Sequence, residues 1–237
     1  RAVAELFNAT ELFENVHILR SKYVDETGKE CLGAPAVVAR KDARNGAPQI
    51  LLYAHHDVQP PGDETVWKTS PFEPTLVNGR LYGRGAADDK AGIMVHVTAL
   101  RVLREVLGDA SDVGITIFIE GEEEFGSPSF DNFLQEHKDL LQADVIIVAD
   151  SGNWNSDVPA LTTTLRGMTS VVFKVSTLDH AVHSGMFGGV VPDAMTATLR
   201  TLASLHNEDG SVAIEGLVSG KADDIEYPTA QIREESG

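Results

Sequence analysis

Two histidines and an aspartate close the apolar run LLYAHHDVQP, residues 51–60. A strand end turned to water would account for them. So would a metal site in which one histidine holds the ion and Asp57 orients its ring. Three further segments carry the same kinds of side chain. GRGAADDKAG brings Asp88 and Asp89, EGEEEFGS brings Glu120, Glu122, Glu123 and Glu124, and VADSGNW brings Asp150. Singly, each has a plain structural reading: a helix cap, a solvated turn, an isolated acid. Jointly they would repel one another unless a cation sat among them, and imidazole with carboxylates suits a hard or borderline divalent metal.

Such residues need a scaffold that gathers them. PQILLYA (48–54), VGITIFIE (113–120) and ADVIIVAD (143–150) read as buried strands, being short apolar runs rich in Val and Ile. Each delivers its acidic or histidine residues at or just past its C-terminal end, where open α/β sheets bind ligands. Helices are expected between them. Ile93, Val97, Leu100, Leu103 and Leu107 recur at steps of four and three behind Asp88 and Asp89, which can cap the free N–H groups. PSFDNFLQEHKDLLQ (128–142) fits a second helix with proline in its first turn. The fold class is therefore α/β, a mostly parallel central sheet flanked by helices. Residues 16–49 read as a strand pair joined by polar turns at a sheet edge, and RAVAELF as helix.

After about residue 160 the pattern changes. MTSVVFKVST (168–177) alternates like a half-exposed strand, a glycine-rich turn follows, and residues 192–206 place Met195, Leu199, Leu202 and Leu205 on one helical face. One strand and one helix do not bury a core alone. The expected organisation is a domain over 1–160 and the first part of a smaller α+β domain over 161–237.

The 237 residues carry 36 acidic and 19 basic side chains, a formal charge of −17. That balance argues against nucleic acid or an anionic membrane surface as partner. No run approaches the 18 apolar residues of a membrane span, and no signal peptide is visible; a cytoplasmic location is expected. Cys31 is the single cysteine, which excludes an internal disulfide and a cysteine-rich zinc cluster, and it reads as a small buried residue.

YAHHDVQP, GRLYGRGAADDKAG, EGEEEFGS, VADSGNW and HSGMFGG, in that order, resemble the successive motifs of the co-catalytic zinc metallopeptidases that include carnosinase-like dipeptidases, aminoacylase and succinyl-diaminopimelate desuccinylase. The likeness runs from about residue 48 to 195 and is nearest the dipeptidase branch. It implies two Zn2+ per complete site, with Mn2+ or Co2+ able to serve. His55 and Asp150 would hold the first ion, Asp88 would bridge both, and Glu124 would hold the second. Asp57 would orient His55, and the Asp88–Asp89 peptide would be cis. Glu123 would be the general base for a zinc-activated water, and His183 a lid histidine that reaches substrate in the partner subunit of a homodimer. The implied substrate is a dipeptide or similar short amide; N-acyl-amino-acid deacylation and a non-catalytic metal-binding module are the alternatives.

Three departures accompany the resemblance. Ala54 stands where the family usually has glycine, and His56 occupies the variable middle position of the His-x-Asp motif. No residue supplies the family's last zinc ligand, a histidine near its C-terminus: His206 lies in the expected lid helix, and His17, His96, His137 and His180 fall outside the motifs. With both ends looking cut, the chain is expected to keep a sound first zinc site, to lack a ligand at the second, and to be poorly active until the missing part is restored.

Overall fold

The computed structural model describes residues 1–155, 157–165, 167–217 and 227–237. The chain divides into two compact units, residues 1–165 and 166–237.

The first unit is built on nine strands and four helices among the described residues. The strands are β1 (Val16–Leu19), β2 (Lys22–Val24), β3 (Glu30–Leu32), β4 (Ala36–Lys41), β5 (Gln49–His55), β6 (Thr75–Val77), β7 (Arg80–Tyr82), β8 (Gly114–Glu120) and β9 (Val145–Val148). The helices are α1 (Ala2–Asn8), α2 (Lys90–Leu107), α3 (Phe130–Glu136) and α4 (Lys138–Leu141). Five strands form the main sheet in the order β1-β4-β8-β5-β9. β8, β5 and β9 are parallel, β4 runs against β8, and β1 runs against β4. Four of the five strands thus share a direction, and β4 opposes them. The parallel neighbours require long crossovers, which α2 supplies between β5 and β8, and α3 with α4 between β8 and β9.

β8 is the keystone: all seven of its residues are buried. Its side chains alternate between two cores, as strand periodicity demands. Ile115, Ile117 and Ile119 join Leu52, Ala54, Phe7 of α1, and Ile93, Val97 and Leu100 of α2. Phe118 faces the opposite way with Leu51 and Val38, and its ring stacks on Phe133 of α3 at 5.3 Å between centroids. Helices therefore cover both faces, as expected for this class.

Four details differ from the sequence reading. The edge pair is β1 with β4, but β4 itself is buried between β1 and β8, while the polar turn between them holds the separate β2–β3 hairpin. The apolar stripe of α2 narrows toward its end, since Leu107 is exposed. The single helix expected over 128–142 breaks at His137, whose φ of −115° and ψ of 21° leave the helical region. Cys31 is half-buried, with its thiol 3.6 Å from Asp25 Oδ2.

The second unit holds α5 (Ser184–Phe187), α6 (Ala194–Ala203) and α7 (Thr229–Ser236). α6 begins where the sequence predicts, with the Asp193 carboxylate accepting from Thr196 N at 2.6 Å. The strand expected over 168–177 is absent. A strand needs a ladder partner, and no named strand occurs among the described residues of this unit; Val171 and Val172 are both exposed. No helix among the described residues is long and apolar enough to cross a membrane.

Candidate metal centre

The carboxyl ends of β5, β8 and β9 lie side by side, with β5 in the middle and His55 paired to Glu120 across the ladder. The chain leaves β5, builds β8 on one side, then returns to build β9 on the other. That reversal opens a crevice beyond the strand ends, and the start of α2 borders it.

His55 is buried and held at three points. Its backbone N–H donates to Asp89 Oδ2 at 3.0 Å, fixing the strand end to the α2 cap. Asp89 uses its other oxygen to accept from Gly92 N at 3.1 Å, so one carboxylate both caps α2 and anchors His55. The peptide joining Asp88 to Asp89 is cis. On the ring, Nδ1 lies 3.3 Å from Asp57 Oδ1, while Nε2 faces Asp88 Oδ1 at 3.0 Å, Glu123 Oε2 at 3.8 Å and Asp150 Oδ2 at 3.9 Å. Asp57 stands beside Nδ1 and leaves Nε2 facing the other carboxylates, the arrangement in which that second nitrogen can take a metal. His56 points elsewhere. Its Nε2 meets the Pro35 carbonyl at 2.7 Å, and since that oxygen only accepts, this nitrogen carries the proton. His55, not His56, therefore faces the carboxylates.

The cluster is electrostatically uneasy as an all-protein assembly. Burial pushes the Asp150 carboxyl above its ordinary value; Asp88 and Glu124 push the same way, and His55 opposes them. Burial also raises Glu123, with Asp150, Glu124 and Asp57 adding to it against His55. Asp89 rises to about 6, chiefly through burial. For His55, burial favours the neutral ring, but Asp150, Asp57, Asp89 and Glu123 together outweigh it and hold the imidazole above its usual value. A divalent cation would invert this balance by favouring every ionised carboxylate and the neutral ring.

The donor set fits such a cation. One ligand atom each from His55, Asp88 and Asp150 lies within 4.8 Å of the others. Two ligands about 2.1 Å from a tetrahedral zinc stand about 3.4 Å apart, and the His55 separations of 3.0 and 3.9 Å bracket that value. Glu123 stands at the rim of this group. Glu124 is adjacent but outside it: its backbone N–H donates to Asp57 Oδ2 at 3.0 Å, and its carboxylate is held by Gln59. His183 lies in the second unit, exposed at the start of α5, where Nδ1 accepts from Gly185 N at 3.1 Å.

Three contributors escaped the sequence reading. Asp89 reads as a helix cap in the sequence, yet it also anchors the His55 backbone. Tyr53 donates its hydroxyl to Glu120 Oε2 at 2.7 Å, a diagonal pair across the β5–β8 register. Gln59 stands two residues past Asp57, and no periodicity marks it. The unassigned histidines are structural or exposed: His96 is buried with Nε2 at 2.8 Å from the Tyr53 carbonyl, His137 packs edge-on to Phe133, and His17 is exposed.

The family model for "Peptidase family M20/M25/M40" matches residues 51–232. The chain is 41% identical over 185 residues to the cysteinylglycine-S-conjugate dipeptidase of Corynebacterium striatum, an alignment covering 78% of this chain and 40% of that protein. It is 32% identical over 185 residues to the beta-Ala-His dipeptidase of Rattus norvegicus, covering 77% and 37%. The chain thus spans about two fifths of the length of the curated relatives it matches. Among solved structures, the M20 family metallo-carboxypeptidase from Sulfolobus solfataricus superposes with a TM-score of 0.67 at 23% identity, over 99% of this chain and 53% of that one. At that identity the likeness concerns the fold.

Proposed function

The chain belongs to peptidase family M20/M25/M40, and on that premise we propose that it serves the metal-dependent hydrolysis of the amide bond in dipeptides or similar short substrates. The observation that carries this reading is the meeting of His55, Asp88 and Asp150 at the ends of three separate segments. The names of the relatives, dipeptidases in both cases, favour dipeptides over acylated amino acids.

In this reading His55 and Asp150 would hold one divalent ion, Glu124 would contribute to a second, and Asp88 would serve both, with zinc the proposed metal. Bound there, the ions supply positive charge that lowers the pKa of water and polarises the scissile carbonyl. Asp57 keeps the His55 ring in place from Nδ1, and Asp89 keeps its backbone in place. Glu123 is the general base: its Oε2 sits at the edge of the ligand group, takes a proton from the attacking water and returns it to the leaving nitrogen. Adjacent carboxylates can divide these tasks because Glu124 is turned toward Gln59 while Glu123 faces His55. His183 is proposed to hold the substrate's carbonyl or carboxylate, and a cytoplasmic homodimer is the proposed setting.

The test is hydrolysis of a dipeptide compared with an acetylated amino acid by zinc-loaded protein, with metal content measured beside it. Glu123→Gln should cut turnover by roughly 10²–10⁴-fold while metal content holds. Turnover that survives Glu123→Gln would remove the base from the mechanism. Metal-loaded wild-type protein that cleaves the acetylated amino acid in preference to the dipeptide would replace dipeptidase with deacylase.

A further inference from the structure

The loop after β5 does more than present His55 and Asp57. Gln59 makes three hydrogen bonds to a single residue on the neighbouring loop. Its backbone N–H donates to Glu124 Oε1 at 3.3 Å, and its side-chain amide donates to Oε2 at 2.8 Å and to the Glu124 carbonyl at 2.7 Å. Asp57 closes the same circuit by accepting the Glu124 N–H at 3.0 Å. One turn of loop thus orients His55 through Asp57 and Glu124 through Gln59. A glutamate has three side-chain torsions to immobilise before both oxygens can be presented in a fixed direction. Gln59 immobilises them in advance. Each carboxylate oxygen accepts from one donor and keeps a further lone-pair direction for a cation.

We propose that Gln59 is a positioning residue that presets the Glu124 carboxylate for a divalent metal ion. This rests on the reading of Glu124 as a ligand to the second ion. Groups that orient metal ligands are typically worth 10–100-fold in affinity, and that is the effect expected here.

The experiment is a titration of Zn2+ against a chromophoric chelator, with Co2+ absorption as a second readout. It compares wild type, Gln59→Leu, Glu124→Gln and the double variant. Glu124→Gln identifies the ion that Glu124 touches. Gln59→Leu should weaken that same ion 10–100-fold, alter its Co2+ absorption, and leave the His55–Asp150 ion unchanged. In the Glu124→Gln background it should add less than about twofold, because its effect passes through the carboxylate. Gln59→Met carries the same test if the leucine variant does not fold. Unchanged affinity in Gln59→Leu, or an equal loss with and without the Glu124 carboxylate, overturns the inference and leaves the metal centre standing. Metal binding that Glu124→Gln does not alter removes Glu124 as a ligand and the inference with it.

Discussion

β8 and α6 are both apolar segments, and they end in opposite states. β8 is sandwiched by β4 and β5, with α2 on one face and α3 on the other, and all seven of its residues are buried. α6 carries Met195, Leu199 and Leu202 on one side, yet all three are exposed, Leu199 by 60%. The contrast extends to the whole of each unit: among the described residues, every buried side chain belongs to residues 1–165. A functional group is only as fixed as the core beneath it. His55 ends a strand inside that core and is held at three points, so its distances to Asp88 and Asp150 carry an argument. His183 caps a four-residue helix in a unit with no buried side chain among its described residues, and its role rests on the motif alone.

The largest effect expected from this contrast is at Phe118. It is 3% exposed and packs on Tyr53, Phe130 and Phe133. Phe118→Ala should cost about 3–5 kcal/mol in urea unfolding. Because Glu123 and Glu124 follow β8, metal affinity should fall in proportion to the unfolded fraction. A cost below about 1 kcal/mol would show that the two-sided core does not depend on β8 as drawn.

A smaller effect, and one readable against pH, comes from His96. Burial lowers its pKa, although the hydrogen bond to the Tyr53 carbonyl partly offsets that. The folded state therefore binds fewer protons than the unfolded chain below pH about 6.5. Stability from the neutral ring is complete above that pH and is lost as pH falls through the unfolded value toward the folded one. His96→Gln should flatten the curve between pH 7.5 and 5 by at most about 1.4 kcal/mol per pH unit. Parallel curves for the two proteins would mean that the ring binds protons equally in the folded and unfolded chain, so that burial does not shift it.

The regular parts of this architecture were legible because their periodicity is strong. β5 and β8 are uninterrupted apolar runs, and α2 repeats at steps of three and four. The arrival of His55, Asp88 and Asp150 at one place followed from strand ends in a parallel sheet. What could not be read was set by contacts distant in sequence. The helix over 128–142 carries no proline or glycine inside it, yet its backbone breaks at His137. MTSVVFKVST has the alternation of a strand, but alternation describes two faces and says nothing of a ladder partner. Asp89 and Gln59 look like a cap and a loop residue because their partners, His55 N and Glu124, lie 34 and 65 residues away.

The smallest expected effect is the most direct probe of the contrast. Leu199→Ala removes three carbons from a side chain that is already mostly in water, so the change in unfolding free energy should stay within about 0.5 kcal/mol. Alanine also has slightly better helix propensity than leucine, which works in the same direction. A loss of about 2 kcal/mol or more would mean that the α6 face is packed against something in solution, since only burial makes a leucine worth that much. Repeating the measurement at two protein concentrations separates the sources. A loss that grows with concentration would come from a second copy of the chain, because association stabilises by mass action. A loss independent of concentration would place the missing contact within the same polypeptide. Either result would turn α6 from an exposed helix into a packed one, and only the concentration-dependent loss would support the homodimer proposed with His183.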